Sequence, residues 1–135
     1  MGPEFFIRLG WPAKALWPNN RTDRRSATAS RQAAKLEGFA EARRVRAAIP
    51  ADAHLVIEFF PPTEGRRDLD NLLASIKAHL DGIAQAAGVD DAGWSFTLRK
   101  GPVVKNGAVV VHATQADKWK AIGDLAREMV KGQVA

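Results

Sequence analysis

This sequence predicts an α/β domain: a mixed sheet of about four strands with helices packed against it. Three observations point there. Short apolar runs of strand character alternate with longer segments of helical period, in the order β-α-β-α-β-β-α. A length of 135 residues suits one domain, covering residues 1–135, large enough for a real core. A hydrophobic fraction of 46% with four tryptophans is a globular composition and not that of a disordered chain.

The elements follow in chain order. Phe5-Phe6-Ile7-Arg8-Leu9 reads as a first strand, ended by Gly10 and Pro12. Trp17-Pro18-Asn19-Asn20-Arg21 is a turn-rich loop. From about Ser26 to Ala47 no proline intervenes, and Ala29, Ala33, Leu36, Ala40 and Ala47 trace an apolar stripe on an amphipathic helix with a basic outer surface. His54 to Phe60 is the second strand, stopped by Pro61-Pro62. A single helix is expected from about Leu69 to Ala87 on the spacing of Leu72, Leu73, Ile76, Leu80, Ile83 and Ala87, with Gly88 as its C-terminal stop. Trp94 to Arg99 is a third strand. Asn106-Gly107 marks a turn before a fourth at Ala108 to His112, and the two strands are expected to pair as a hairpin. A last helix runs from Asp117 to Lys131, with Trp119, Ile122, Ala126 and Met129 on one face.

Composition narrows the function classes. The absence of cysteine excludes a disulfide framework and a thiolate zinc site. No apolar run approaches the roughly 18 residues that span a bilayer, and no signal-peptide pattern opens the chain, so a soluble, cytoplasmic protein is expected. The net charge of +5 is unevenly spread: residues 1–50 carry ten Lys or Arg against four Asp or Glu, and residues 51–135 carry ten against eleven. A basic face of this kind suits nucleic acid, though a solvated helix surface gives the same count.

The chemistry concentrates in Arg66-Arg67-Asp68-Leu69-Asp70-Asn71, with Asp90-Asp91 twenty residues later. Clustered carboxylates repel one another and need a partner. Asp68 and Asp70, two residues apart, project to one side if the segment is extended. Carboxylates are the usual ligands of Mg²⁺, and Asp91, or its neighbour Asp90, would join them if a strand after Gly88 returned beside the second strand. Such a site activates water and neutralises a leaving oxyanion, while Arg66 and Arg67 clamp a phosphate. The plainer reading makes Asp70 a helix cap, Asp68 a charge at the helix N-terminus and Asp90-Asp91 a turn.

The segment Phe60-Pro61-Pro62, then Arg67-Asp68-Leu69-Asp70-Asn71-Leu72-Leu73, a helix and Gly88-Val89-Asp90-Asp91, resembles the RusA family of Holliday junction resolvases, small endodeoxyribonucleases of phages and prophages. Leu16-Trp17-Pro18-Asn19-Asn20-Arg21 before a basic helix, and the stretch from Lys100-Gly101-Pro102 to Val111, are similar in character to that family as well. The resemblance spans about residues 5–113, leaving the helix at about 117–131 as an addition. It implies a RusA-like fold and a homodimer that resolves four-way junctions and other branched DNA in recombination and repair, within a bacterial or phage-infected cell. It further implies Asp68, Asp70 and Asp91 as Mg²⁺ ligands, with Mn²⁺ the alternative ion, and Arg67 as a catalytic residue. Members carry a lysine six residues after the first aspartate; Ala74 stands there, and Lys77, about 4.5 Å further along a helix, is its expected substitute. Gly88-Val89 replaces the tryptophan usual before the acidic pair. Arg21, Arg24, Arg25, Arg31, Lys35, Arg43, Arg44, Arg66 and Asn71 are the expected DNA contacts. A junction-binding architectural protein of the same fold, weak or inactive in cleavage, is the alternative.

His54, His79 and His112 have no metal-ligand spacing and are expected to be structural. Trp11 and Trp17 flank a proline loop, suited to stacking on unpaired bases or to packing. No nucleophile constellation or glycine-rich phosphate loop supports acyl transfer or nucleotide hydrolysis.

Overall fold

The computed structural model describes residues 5–18, 23–113 and 116–131. Four strands, β1 (Phe6–Leu9), β2 (His54–Phe60), β3 (Ser95–Lys100) and β4 (Ala108–Ala113), form one mixed sheet in the order β1-β4-β2-β3. The helices are α1 (Arg24–Ala42), α2 (Leu69–Ser75), α3 (Lys77–Ala87) and α4 (Ala116–Met129). The expected mixed four-stranded α/β architecture is therefore present.

β2 and β3 run parallel, His54 beside Ser95 and Phe59 beside Lys100, with α2 and α3 as the crossover between them. β4 lies antiparallel between β2 and β1, setting Ile57 opposite Val111 and Ile7 opposite Val111 on its other side. The expected β3–β4 hairpin does not form. The Asn106-Gly107 turn exists, both residues having positive φ, but it ends a connection that passes over the end of β2. That path is held by Gly101 N–H on the Phe59 carbonyl at 2.8 Å and Val104 N–H on the Pro61 carbonyl at 3.0 Å. With one side of β2 taken by β3, the apolar β4 satisfies its backbone on the other side and gains a second partner in β1.

One face of the sheet carries the core. Ile7, Leu9, Leu55, Ile57, Phe59, Val109 and Val111 are almost wholly buried, with Leu72, Ile76, Leu80 and Ile83 of the crossover helices. Burial of such side chains supplies about 1.5–3 kcal/mol each.

α1 begins at Arg24, earlier than its expected start near Ser26, because Asp23 caps it: the carboxylate accepts the Ser26 N–H at 2.9 Å and the Ser26 hydroxyl at 3.0 Å. These hydrogen bonds, the Ser26 N–H first, hold the Asp23 carboxyl below the usual carboxylate range. The helix ends at Ala42, and Arg43–Ala48 continues as a 3₁₀ turn. The apolar stripe assigned to α1 faces solvent: Ala29, Ala33, Leu36, Ala40 and Ala47 are exposed, Leu36 at 70%. The buried face is Ala34, Gly38 and Ala42. In so alanine-rich a segment the choice of face belongs to the partner helix, and α3 approaches too closely for anything larger. A Cβ on Gly38 would lie 2.1 Å from the His79 carbonyl oxygen, and one on Gly82 would lie 2.0 Å from that of Lys35.

The single helix expected over 69–87 is two, broken at Ile76, whose φ and ψ of −109° and 11° are not helical. Neither proline nor glycine causes the break. The buried Ser75 hydroxyl donates to the Leu72 carbonyl at 2.6 Å, taking the acceptor that a continuous helix gives to the Ile76 N–H. That N–H turns to Leu73 instead, at 3.2 Å. Gly88 ends α3 as expected, with φ of +72° and the Val89 N–H returning to the Ala84 carbonyl.

α4 starts at Ala116, close to its expected start, and bears Leu125 and Met129 at 67% and 77% exposure. The side chains of Trp119 and Ile122, assigned to its apolar face, lie outside the described residues. No described helix is long and apolar enough to cross a membrane.

Candidate functional site

Pro61 and Pro62 turn the chain out of β2, and the loop that follows is folded around Arg67. Its guanidinium donates to the Thr63 carbonyl at 2.8 Å and to the Thr63 hydroxyl at 3.0 Å, and sits 5.6 Å from the centre of the Trp11 ring. Lys100, at the end of β3, donates to the Arg67 carbonyl at 3.0 Å. Arg67 is thus fixed by its own loop at Thr63 and by two residues distant in sequence, Trp11 and Lys100.

Asp68 follows in extended conformation and is the N-cap residue of α2 by its backbone, its carbonyl accepting the Leu72 N–H. Its side chain makes no capping hydrogen bond. It is exposed and has the Arg66 guanidinium 3.9 Å away. Asp70 is already inside the first turn of α2 and exposed. Two expectations are corrected here. Asp70 is not the cap, and the shared projection of Asp68 and Asp70 does not hold, because helix geometry takes over at Leu69. Asn71 is half-buried beside them.

Asp90 and Asp91 divide their work. Asp90 caps the 3₁₀ turn Asp91–Gly93, accepting the Ala92 N–H at 2.9 Å, in keeping with the plainer reading of this pair as a turn. Asp91 is largely sheltered and meets the Lys77 ammonium at 3.3 Å. The chain does return beside β2 after Gly88, as expected, but it delivers Asp91 to the start of α3. Lys77 is the first residue of α3, directly after the break at Ile76.

Asp81 is the residue that sequence reasoning missed. Its carboxyl is pushed above the usual range, first by burial and then by the neighbouring Asp91 carboxyl, with the Lys77 and Lys35 charges opposing. A signal was present: Asp81 lies four residues after Lys77, one turn along the same face. A cavity of about 370 Å³ opens between α1 and α2–α3, lined by Trp17, Arg31, Ala74, Lys77 and Asp81 among others. Arg31 of the basic helix therefore joins this cluster.

The acidic residues accordingly form two groups, Asp68 and Asp70 at the start of α2 and Asp81 with Asp91 at α3. Among the described residues no three carboxylates or imidazoles gather as a metal-ligating group. The donor chemistry is that of a hard cation, all carboxylate oxygen, but Asp91 is engaged by a lysine and a neighbouring acid. The arrangement does not form a ready Mg²⁺ cage.

The other expected DNA contacts, Arg24, Arg25, Lys35, Arg43 and Arg44, lie exposed on α1 and the turn after it, Arg44 near Glu41 at 3.7 Å. Arg21 lies outside the described residues. The histidines have structural partners: His54 with Ser95 and Thr97 at 2.7 and 2.8 Å, His79 with Glu37 at 3.1 Å, and His112 with Glu58 at 3.2 Å. Trp11 and Trp17 pack on each other at 5.9 Å, both half-buried against the core.

No protein-family model matches the chain. It is 38% identical over 117 residues to an uncharacterized protein of Xylella fastidiosa, across 80% of this chain and 74% of that one. Among solved structures, the periplasmic domain of MotB aligns over 94% of this chain and 72% of its own, at 13% identity and a TM-score of 0.42. The periplasmic domain of Helicobacter pylori MotB aligns over 92% of each chain, at 12% identity and a TM-score of 0.36. Neither structural likeness is close enough to inform fold or function.

Proposed function

We propose that this chain, which belongs to one family with the Xylella fastidiosa protein, is a Mg²⁺-dependent endodeoxyribonuclease that resolves branched DNA as a homodimer. The observation that carries the reading is the Arg66-Arg67-Asp68-Leu69-Asp70-Asn71 segment, similar to the RusA motif, with exposed carboxylates at the start of α2 and Arg67 anchored beside them. An anchored guanidinium next to exposed acids suits a scissile phosphate, since little side-chain entropy remains to be lost on binding. Lys77, on Asp91 at 3.3 Å, supports its role as substitute for the lysine absent at position 74. Mg²⁺ would supply Lewis-acid stabilisation of the phosphate only once Asp91 leaves Lys77 to join Asp68 and Asp70. The exposed cations of α1 would track DNA backbones, and two symmetric nicks in a four-way junction match an isologous dimer.

A second reading, a junction-binding architectural protein, is favoured by one observation: Asp91 is paired with Lys77 and Asp81 and not gathered with Asp68 and Asp70. One assay separates the two. The protein is incubated with a synthetic four-way junction in Mg²⁺ or EDTA, beside an Asp70→Asn variant. Paired, metal-dependent nicks that the variant loses support the enzyme. Tight binding without nicks in Mg²⁺ or Mn²⁺ leaves the architectural reading, and absence of junction binding at low salt removes both.

A further inference from the structure

The loop after β2, the Trp11 side chain and the chain leaving β3 border a second cavity, of about 220 Å³, that shares no lining residue with the one beside Lys77. Trp11, Thr63, Arg67, Leu72, Lys100 and Gly101 are among its lining residues. Its electrostatics are unusual for so small a space. Arg67 and Lys100 both border it, and among the described residues neither forms an ion pair. Glu64 is also at the lining and is not paired with either cation, so two positive charges face one negative. The hydrogen bonds that hold Arg67 and Lys100 end on neutral oxygens, which orient a cation without cancelling its charge.

The shape adds a second constraint. Trp11 carries the Arg67 guanidinium over its ring at 5.6 Å and is backed by Trp17, whose indole N–H donates to the Pro12 carbonyl at 3.4 Å. An indole with a guanidinium layered on it is a platform for a flat π system, stiffened in advance. The volume falls below the roughly 300–1,000 Å³ of sites for drug-sized ligands. One planar group with an adjoining anion fits; a base pair does not.

We infer that the Trp11–Arg67–Lys100 cavity binds a single unpaired nucleotide of DNA, its base stacked on the Trp11–Arg67 platform and its phosphate held by Lys100. This rests on the branched-DNA reading and deepens it, because Arg67 directly precedes Asp68. An unpaired nucleotide held there sets the branch point at a constant distance from the phosphate presented to the acids. Base pairs at a branch point lack a stacked neighbour on one side and open more readily than those inside a duplex, so the cavity would favour branched DNA over duplex.

The test reads binding alone, by fluorescence anisotropy in EDTA, with four-way junctions carrying an abasic site at each branch-point position in turn. One abasic position is expected to weaken binding by the wild-type protein about tenfold, the order of a lost base–aromatic stack. Trp11→Ala should bind intact and abasic junctions alike, whereas Trp11→Phe retains most of the discrimination. Lys100→Ala, at an exposed position, should lower the slope of log affinity against log salt by about one. Melting curves of each variant establish that it is folded. Equal binding of intact and abasic junctions by the wild-type protein, or wild-type behaviour of both Trp11→Ala and Lys100→Ala, overturns the inference, as does failure to bind any junction. Cleavage is not read, so a protein that discriminates without nicking keeps the pocket and loses the nuclease, and one that nicks without discriminating does the reverse.

Discussion

Replacing Gly82 by alanine tests the close approach of α1 and α3. The new Cβ would stand 2.0 Å from the Lys35 carbonyl oxygen and 2.9 Å from the Phe39 nitrogen, where ordinary contact is 3.4–4 Å. Both obstacles are backbone, so no rotamer change relieves them, and the helices must separate by more than about 1 Å. A gap of that size forfeits a quarter to a half of the dispersion attraction across the contact. Overpacking of this kind costs about 1–3 kcal/mol, and the upper end applies when backbone must move. Against it stands about 1 kcal/mol gained by removing glycine from a helix interior. The net is about 2 kcal/mol of destabilisation, or roughly 6–10 °C in Tm for a domain of this size. Gly123→Ala in α4 is the control, its nearest neighbour being the flexible Arg127 guanidinium at 3.4 Å, and it should be neutral or stabilising by up to about 1 kcal/mol. Thermal and urea melts by circular dichroism measure both. A Gly82→Ala protein with unchanged or raised Tm would refute the packing account.

Removing the Ser75 hydroxyl by Ser75→Ala returns the Leu72 carbonyl to the Ile76 N–H, so residues 69–87 should straighten into one helix at a stability change within about 1 kcal/mol. A crystal structure in which the bend at Ile76 persists would assign it to packing instead. Lys77→Ala removes an exposed ion pair and should change stability by less than about 1 kcal/mol, while lowering junction cleavage by at least about tenfold with binding nearly unchanged; undiminished cleavage would exclude Lys77 from the reaction. Burial holds His54 and His79 below their ordinary value of 6.5, with Glu37 partly opposing at His79. Below pH 6.5 the unfolded chain binds these protons before the folded one does. Their stabilising contribution is therefore complete above that pH and declines as the solution is acidified through it. Tm should fall between pH 7.5 and 5.5, less so in His79→Gln, and a flat or rising profile would be the contrary result.

Much of the chain's local structure is legible in order. β2 matches its expected bounds at both ends, because a compact apolar run is stopped by Pro61-Pro62, and Gly88 ends α3 because only a left-handed residue closes that turn without strain. The misreadings share a cause. The face of α1, the partner of β4 and the continuity of α2 into α3 each depend on a group far away or on a side chain competing with the backbone. Ala29 and Ala34 are equally apolar in the sequence, and only the proximity of His79 and Lys35 to Gly38 and Gly82 decides which is covered. Ser75 is unremarkable until its hydroxyl is buried against the Leu72 carbonyl.

The candidate site divides in the same way. The acidic segment, its two arginines and the start of a helix just after Asp68 are properties of a few adjacent residues, and the sequence alone determined them. The division into an α2 group and an α3 group, the pairing of Lys77 with Asp91, the recruitment of Asp81 and the anchoring of Arg67 between Trp11 and Lys100 were decided only in three dimensions. Propensity and periodicity act over one turn or one strand, whereas these contacts join residues brought together by strand order, by the α1–α3 approach and by a single break at Ile76.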